Sequence, residues 1–146
     1  MIEIDGRCHC GRIRYYAKVE AGSVAICHCT DCQSLSGSPY RAMITARSED
    51  FTIEGEPRIY VKTADSGTKR AQAFCPNCGS PIYSAAADSP SMFSIRLGSV
   101  RQRRELGRPS RQIWCDSALD WVMDIQSGAR HSREEANQLR NSEARN

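Results

Sequence analysis

No apolar run in the 146-residue sequence approaches the ~20 residues that a membrane-spanning helix requires, so no membrane partner is expected. Net charge is also small. Twenty Lys and Arg against 17 Asp and Glu leave +3, too little to imply a nucleic-acid partner. The segment Met1-Ile2-Glu3-Ile4-Asp5 has neither the basic nor the apolar stretch of a secretory signal. A reducing compartment, the cytoplasm, is therefore expected. No internal repeat is present beyond two Cys-x-Cys pairs. With 40% hydrophobic and 25% charged residues, the composition is that of a folded chain rather than a disordered one. The length suits one domain that buries roughly two thirds of its unfolded surface.

Against these absences stand eight cysteines, at positions 8, 10, 27, 29, 32, 75, 78 and 115. In a reducing compartment stable disulfides are rare. The spacing also argues for metal: Cys8-His9-Cys10, Cys27-His28-Cys29-Thr30-Asp31-Cys32 and Cys75-Pro76-Asn77-Cys78 are tight clusters. Close thiols of this kind converge on one ion more readily than they bridge across a fold. Seven thiolates and two Zn²⁺ would bring the net charge to about zero.

The remaining pattern is all-β. Ile13, Tyr15, Ala17 and Val19 alternate with Arg12, Arg14, Tyr16 and Lys18, the period of a half-buried strand. Tyr40 to Ala46 alternates likewise, and Phe51–Ile53, Arg58–Val61, Met92–Leu97, Ile113–Trp114 and Leu119–Val122 are further strand candidates. Gly, Pro, Ser and Asp punctuate these runs, which predicts a small sandwich or open barrel of short antiparallel strands. Thr30–Ser36 is expected to form a helical turn. Residues 1–126 make the expected zinc-binding domain. Residues 127–146 make a polar tail, disordered or a short helix opened by the capping box Ser132-Arg133-Glu134-Glu135 with Ala136 and Leu139 inward.

Zn²⁺ takes four ligands tetrahedrally, with Zn–S of about 2.3 Å. Cys27, Cys29 and Cys32 supply three from one loop and leave a position open. Cys8, Cys10, Cys75 and Cys78 then make a closed four-thiolate site. Closed sites are structural, whereas catalytic ones keep a vacancy. A zinc bearing three thiolates holds a soft thiolate better than it activates water. It also lowers the incoming thiol below its free pKa of roughly 8.5. Cys115 is expected to be a small buried residue beside Trp114; its alternative role, closing the second site, would leave nothing for chemistry. His9 and His28 point away from their flanking cysteines and are read as non-ligands, and His131 as solvated.

Gly6-Arg7-Cys8-His9-Cys10-Gly11-Arg12-Ile13-Arg14-Tyr15, Cys27-His28-Cys29-Thr30-Asp31-Cys32-Gln33-Ser34-Leu35-Ser36-Gly37-Ser38 and Phe74-Cys75-Pro76-Asn77-Cys78-Gly79-Ser80-Pro81-Ile82-Tyr83 resemble the glutathione-dependent formaldehyde-activating enzyme family, which shares its domain with centromere protein V. The resemblance extends over roughly residues 4–125, through Leu97-Gly98-Ser99, Ile113-Trp114 and Trp121. It implies an Mss4-like fold, a structural zinc at Cys8, Cys10, Cys75 and Cys78, and a catalytic zinc at Cys27, Cys29 and Cys32. It also implies a carbon–sulfur lyase activity that joins glutathione to formaldehyde. Gln112 stands where the family often has His, and Cys115 is not a ligand position in the family pattern.

The expected activity is therefore zinc-dependent joining of a small thiol such as glutathione to a small aldehyde. Arg41, Arg47 and Lys62 are candidate partners for the anionic thiol, and His28 and Asp31 are the nearest candidates for a general base. The rival reading is a non-catalytic zinc scaffold that binds a protein partner. Arg101-Gln102-Arg103-Arg104 lacks interleaved aromatics and is read as a solvated loop.

Overall fold

A computed structural model describes residues 1–64 and 66–143. Ten strands and two α-helices follow in the order β1 (Ile2–Arg7), β2 (Arg14–Val19), β3 (Ala25–Cys27), α1 (Thr30–Ser36), β4 (Arg41–Arg47), β5 (Phe51–Glu54), β6 (Arg58–Thr63), β7 (Lys69–Phe74), β8 (Pro81–Ala86), β9 (Met92–Arg96), β10 (Arg111–Ile113) and α2 (Arg133–Glu143). They form a three-stranded sheet, β1-β2-β5, and a seven-stranded sheet, β10-β3-β4-β9-β8-β7-β6. The architecture is all-β, as the alternation predicts. One pair departs from the expected antiparallel pattern: β10 runs parallel to β3, with Ile113 opposite Cys27.

The period of two decides which residues meet between the sheets. On β2, Tyr15, Ala17 and Val19 are buried while Arg14, Tyr16 and Lys18 are exposed. On the long sheet, Ile44 and Ala46 of β4 and Ile95 of β9 enter the same core. An aromatic group fills the middle. Phe51 stacks on Phe93 with centroids 4.6 Å apart, and Tyr83 meets Phe93 edge-on at 4.9 Å. Edge-to-face and offset arrangements of this kind add to the stabilisation that burial already supplies.

Two expected strands differ, and a third lies at a sheet edge. Leu119–Val122 is not a strand: Asp120–Ser127 forms 3₁₀ turns, and only Val122 of this stretch is buried. Four alternating residues are too few to separate a strand from turns once no neighbouring strand is there to pair with. Trp114 lies outside β10 because its φ of 58° puts it in the left-handed region, which breaks the extended run. Arg58–Val61 does form β6, but at the sheet edge, with Ile59, Tyr60 and Val61 exposed. In the polar tail α2 forms behind the capping box. The Ser132 N–H donates to the Glu135 carboxylate at 2.6 Å, and the Glu135 N–H donates to Ser132 Oγ at 3.3 Å. Leu139 nonetheless faces solvent, because the helix has no apolar surface to pack on. Positions 144–146 lie outside the described residues. No described helix is long and apolar enough to cross a membrane.

Gly6 sets how closely the first hairpin packs. It pairs with Tyr15, whose hydroxyl bonds Ser99 Oγ at 2.8 Å. A Cβ at Gly6 would sit 2.1 Å from the Tyr15 hydroxyl and 2.6 Å from the Ser99 carbonyl oxygen. Tyr15 is fully buried and cannot swing aside. Gly6→Ala is expected to lower unfolding free energy by roughly 1–3 kcal/mol, read from urea denaturation, because overpacking a filled core forces backbone shifts.

Candidate metal centre and its cavity

Two turns bring four sulfurs together. Cys8 and Cys10 lie in the turn after β1, where Cys8 N–H donates to the Ile13 carbonyl at 3.0 Å and Ile13 N–H to Cys8 Sγ at 3.3 Å. Cys75 and Cys78 lie in the β7–β8 turn. That turn closes through Gly79 N–H to the Cys75 carbonyl at 2.9 Å, and the φ of 72° at Gly79 suits glycine. The Sγ atoms of Cys8, Cys10, Cys75 and Cys78 all lie within 4.8 Å of one another. Cys8–Cys10 and Cys10–Cys75 separations are 3.5 and 3.7 Å. A tetrahedral ion with metal–sulfur bonds of about 2.3 Å places its sulfurs about 3.8 Å apart, so this set fits zinc. The Ser80 hydroxyl and backbone N–H, with the Cys10 backbone N–H, hold the Cys78 thiol down at about 5, already favouring the ligating form.

The second group is Cys27, Cys29 and Cys32, again within 4.8 Å of one another. Cys27 ends β3, and Cys29 caps α1, its sulfur accepting the Cys32 N–H at 3.3 Å. Burial works against charge on Cys29, yet the Cys32 N–H, the Cys32 and Cys27 thiols and the Lys62 charge together hold it below the ordinary thiol value. Burial, followed by the crowding of Cys27 and Cys29, raises Cys32 to about 12. Three thiols this close share charge poorly by themselves, and a thiolate-only set suits a cation such as Zn²⁺. No fourth Cys, His, Asp or Glu joins this group among the described residues. Cys115, expected to be buried, is exposed, because the left-handed turn at Trp114 carries it off the sheet into the 3₁₀ turn Cys115–Ser117. It also stands outside the three-thiol group.

The group opens onto a cavity of about 590 Å³. Its floor follows from strand register, since paired residues present their side chains to the same face. Cys27 pairs with Arg41, Met43 with Arg96, and Gln72 with Ser84, which pairs with Ser94. One face of the long sheet is therefore apolar and meets the core, while the other is polar and meets the thiols. Lys62 and Arg70, also paired, extend that face to its edge. Of the expected cations, Arg41 and Lys62 line the cavity and Arg47 does not; it is exposed at the far end of β4. Lys62 is ion-paired with Asp31. Arg70 and Arg96 also line the cavity, although no motif singled them out. The available signal was alternation on β9, where Met92, Ser94 and Arg96 oppose Phe93, Ile95 and Leu97. It marked a polar face without saying what that face meets. Trp114, 66% exposed, and Ile113 border the mouth.

The two histidines flanked by cysteines join neither group. His28 is 1% exposed, its Nε2 is 2.7 Å from Gln112 Oε1, and its Nδ1 has no partner. It does not line the cavity, so it is not placed as a general base. Gln33 Nε2 donates to the His28 and Ser117 carbonyls at 2.7 and 2.8 Å, tying α1 to the turn after Trp114. In the basic run, Arg101 pairs with Asp5 and Arg103 donates to the Val100 carbonyl at 3.0 Å.

An all-β fold with two convergent cysteine groups, one of them facing a cavity, defines a class of metal-thiolate β proteins. The sequence profile described as glutathione-dependent formaldehyde-activating enzyme matches residues 3–117, and the chain belongs to that family. It is 26% identical over 95 residues to an uncharacterized lyase of Schizosaccharomyces pombe, covering 65% of this chain and 66% of the relative. The chain thus spans just under two thirds of that relative's length. A crystal structure of a Rhodobacter sphaeroides protein superposes with a TM-score of 0.56 at 20% identity, over 74% of this chain and 98% of that one. That likeness is one of fold.

Gln112 is the hydrogen-bond partner of the buried His28 ring. Gln112→Leu is expected to leave the buried ring unpaired and cost roughly 1–3 kcal/mol of stability in denaturant melts.

Proposed function

We propose that this chain is a zinc-dependent lyase-type enzyme that joins a small thiol, glutathione or a close analogue, to a small aldehyde. The observation that carries the reading is the contrast between the two cysteine groups. One is knit into two turns beneath Ser80, whereas the three-thiol group faces a cavity of about 590 Å³. Membership of the glutathione-dependent formaldehyde-activating family and the relative named as a lyase support the same chemistry.

In this reading Cys8, Cys10, Cys75 and Cys78 hold a structural zinc, and Cys27, Cys29 and Cys32 hold a catalytic one. When bound there, zinc supplies a coordination position that acidifies and orients an incoming thiol. The chain's own residues do the rest. Cys27, at the end of β3, and Cys29 and Cys32, at the start of α1, would hold the ion. Lys62 and Arg70, toward the sheet edge, attract the distal carboxylates of a peptide thiol. Trp114, Ile113 and Leu35 narrow the mouth and limit water. The proton of the thiol leaves to solvent: among the described residues the one carboxylate lining the cavity, Asp31, is engaged with Lys62.

The test is metal count with single-cysteine variants. Two zinc ions per chain are expected, and cobalt in the second site should change its visible spectrum when glutathione is added. Cys29→Ser should cost one zinc and lower turnover by roughly 100-fold or more while the protein stays folded. Cys78→Ser should unfold it, because structural zinc contributes on the order of 10 kcal/mol to small zinc domains. The scaffold alternative draws on the exposed Trp121, Met123 and Ile125. Cobalt spectra indifferent to thiol, with no turnover above background in the wild type, would favour it.

A further inference from the structure

Among the described residues, two arginines on the cavity floor have no carboxylate partner. Arg41 and Arg96 are each 5% exposed. Both turn toward one neutral acceptor, Gln72 Oε1, at 3.2 Å from Arg41 Nη1 and 2.9 Å from Arg96 Nη2. The Nε atoms of both are buried without a partner. Among the described residues no carboxylate lies within ion-pair distance of either. Buried guanidiniums normally sit against a carboxylate or phosphate, because an uncompensated buried charge costs several kcal/mol. They also separate the thiol cavity from a second cavity of about 440 Å³ on which His9, Tyr40 and Ser80 border.

Their position says which anion they await. Arg41 is the cross-strand partner of Cys27, so their Cβ atoms lie roughly 5 Å apart. An anion held there lies in the same cavity as the Cys27, Cys29 and Cys32 sulfurs, where an incoming thiol would be held. The carboxylates of a peptide thiol are several bonds from its sulfur and reach the outer cations Lys62 and Arg70 instead. A carboxylate bonded directly to an aldehyde carbon lies where the arginines are.

We propose that the aldehyde taken by this site carries a carboxylate next to its carbonyl, a 2-oxo acid of the glyoxylate type, held by Arg41 and Arg96; this rests on the thiol-addition reading above. The sulfur lone pair forms the C–S bond to the aldehyde carbon as the C=O π pair moves onto oxygen. That oxygen takes one proton from water, matching the proton the thiol released, and the product is a hemithioacetal with its carboxylate intact. No electron leaves or enters the pair of reactants. Fork-shaped guanidiniums suit this planar anion, and a neutral one-carbon aldehyde makes no use of them.

The experiment uses the zinc-loaded full chain with glutathione, comparing glyoxylate and formaldehyde as aldehydes, and calorimetric titration with oxamate, an unreactive carboxylate of similar size. The wild type should favour glyoxylate over formaldehyde in kcat/KM by roughly tenfold or more, and should bind oxamate. In Arg96→Gln, and separately in Arg41→Gln, that ratio and the oxamate affinity should each fall by roughly tenfold or more. Arg47→Gln, outside the cavity, should leave both unchanged. Zinc content and melting temperature show whether each variant is folded; the wild-type preference and oxamate binding need no variant. Turnover of formaldehyde with no glyoxylate preference and no oxamate binding overturns this proposal and leaves the thiol-addition reading standing. Equal losses for both aldehydes in the arginine variants also overturn it, since the arginines then act only as counter-charges to the thiolates. Turnover of neither aldehyde overturns both readings.

Discussion

Four sulfurs held within 4.8 Å of one another cannot all carry charge without a cation among them. That constraint shapes the protein. The turn after β1 and the β7–β8 turn belong to different sheets, and Cys8, Cys10, Cys75 and Cys78 are where they meet. Around them the backbone is already committed: Ile13 and Gly79 N–H groups close the two turns, and the His9 N–H donates to Ser80 Oγ at 3.0 Å across the join. Metal would complete a site that the hydrogen bonds have largely formed, so its binding energy is coupled to holding the sheets together.

The long sheet then carries a division of labour between its faces. Ile44, Ala46 and Ile95 meet the short sheet beside the aromatic group that Phe51, Tyr83 and Phe93 form between the sheets, which supplies the burial a chain of this size needs. The opposite face holds Cys27, Arg41, Gln72, Ser84, Ser94 and Arg96. Burial lowers Arg96 to about 9, with the nearby charge of Arg41 adding to the effect. Such an arrangement persists when something it binds repays the desolvation.

The grouping of the cysteines was legible because closely spaced thiols converge locally in sequence. Cys27, Cys29 and Cys32 need only one β3–α1 turn to converge. Cys-x-Cys and Cys-x-x-Cys each place two sulfurs side by side whatever the rest of the fold does. Other features were less legible for identifiable reasons. Cys115 beside Trp114 has the look of a buried strand residue, yet one left-handed backbone angle at Trp114 exposes it. Arg41, Arg47 and Lys62 are equivalent in sequence, and only strand register sends the first and last to the thiols and the middle one away.

By itself, then, the amino-acid order determined an all-β chain with two groups of metal-seeking thiols, because periodicity and cysteine spacing act over a few bonds. Tertiary structure alone decided that no fourth described side chain joins Cys27, Cys29 and Cys32, and that Arg70 and Arg96 stand beside Arg41 with Gln72 between two guanidiniums. Those facts depend on pairing between strands tens of residues apart. A shift of one residue in that register would turn each of these side chains to the opposite face.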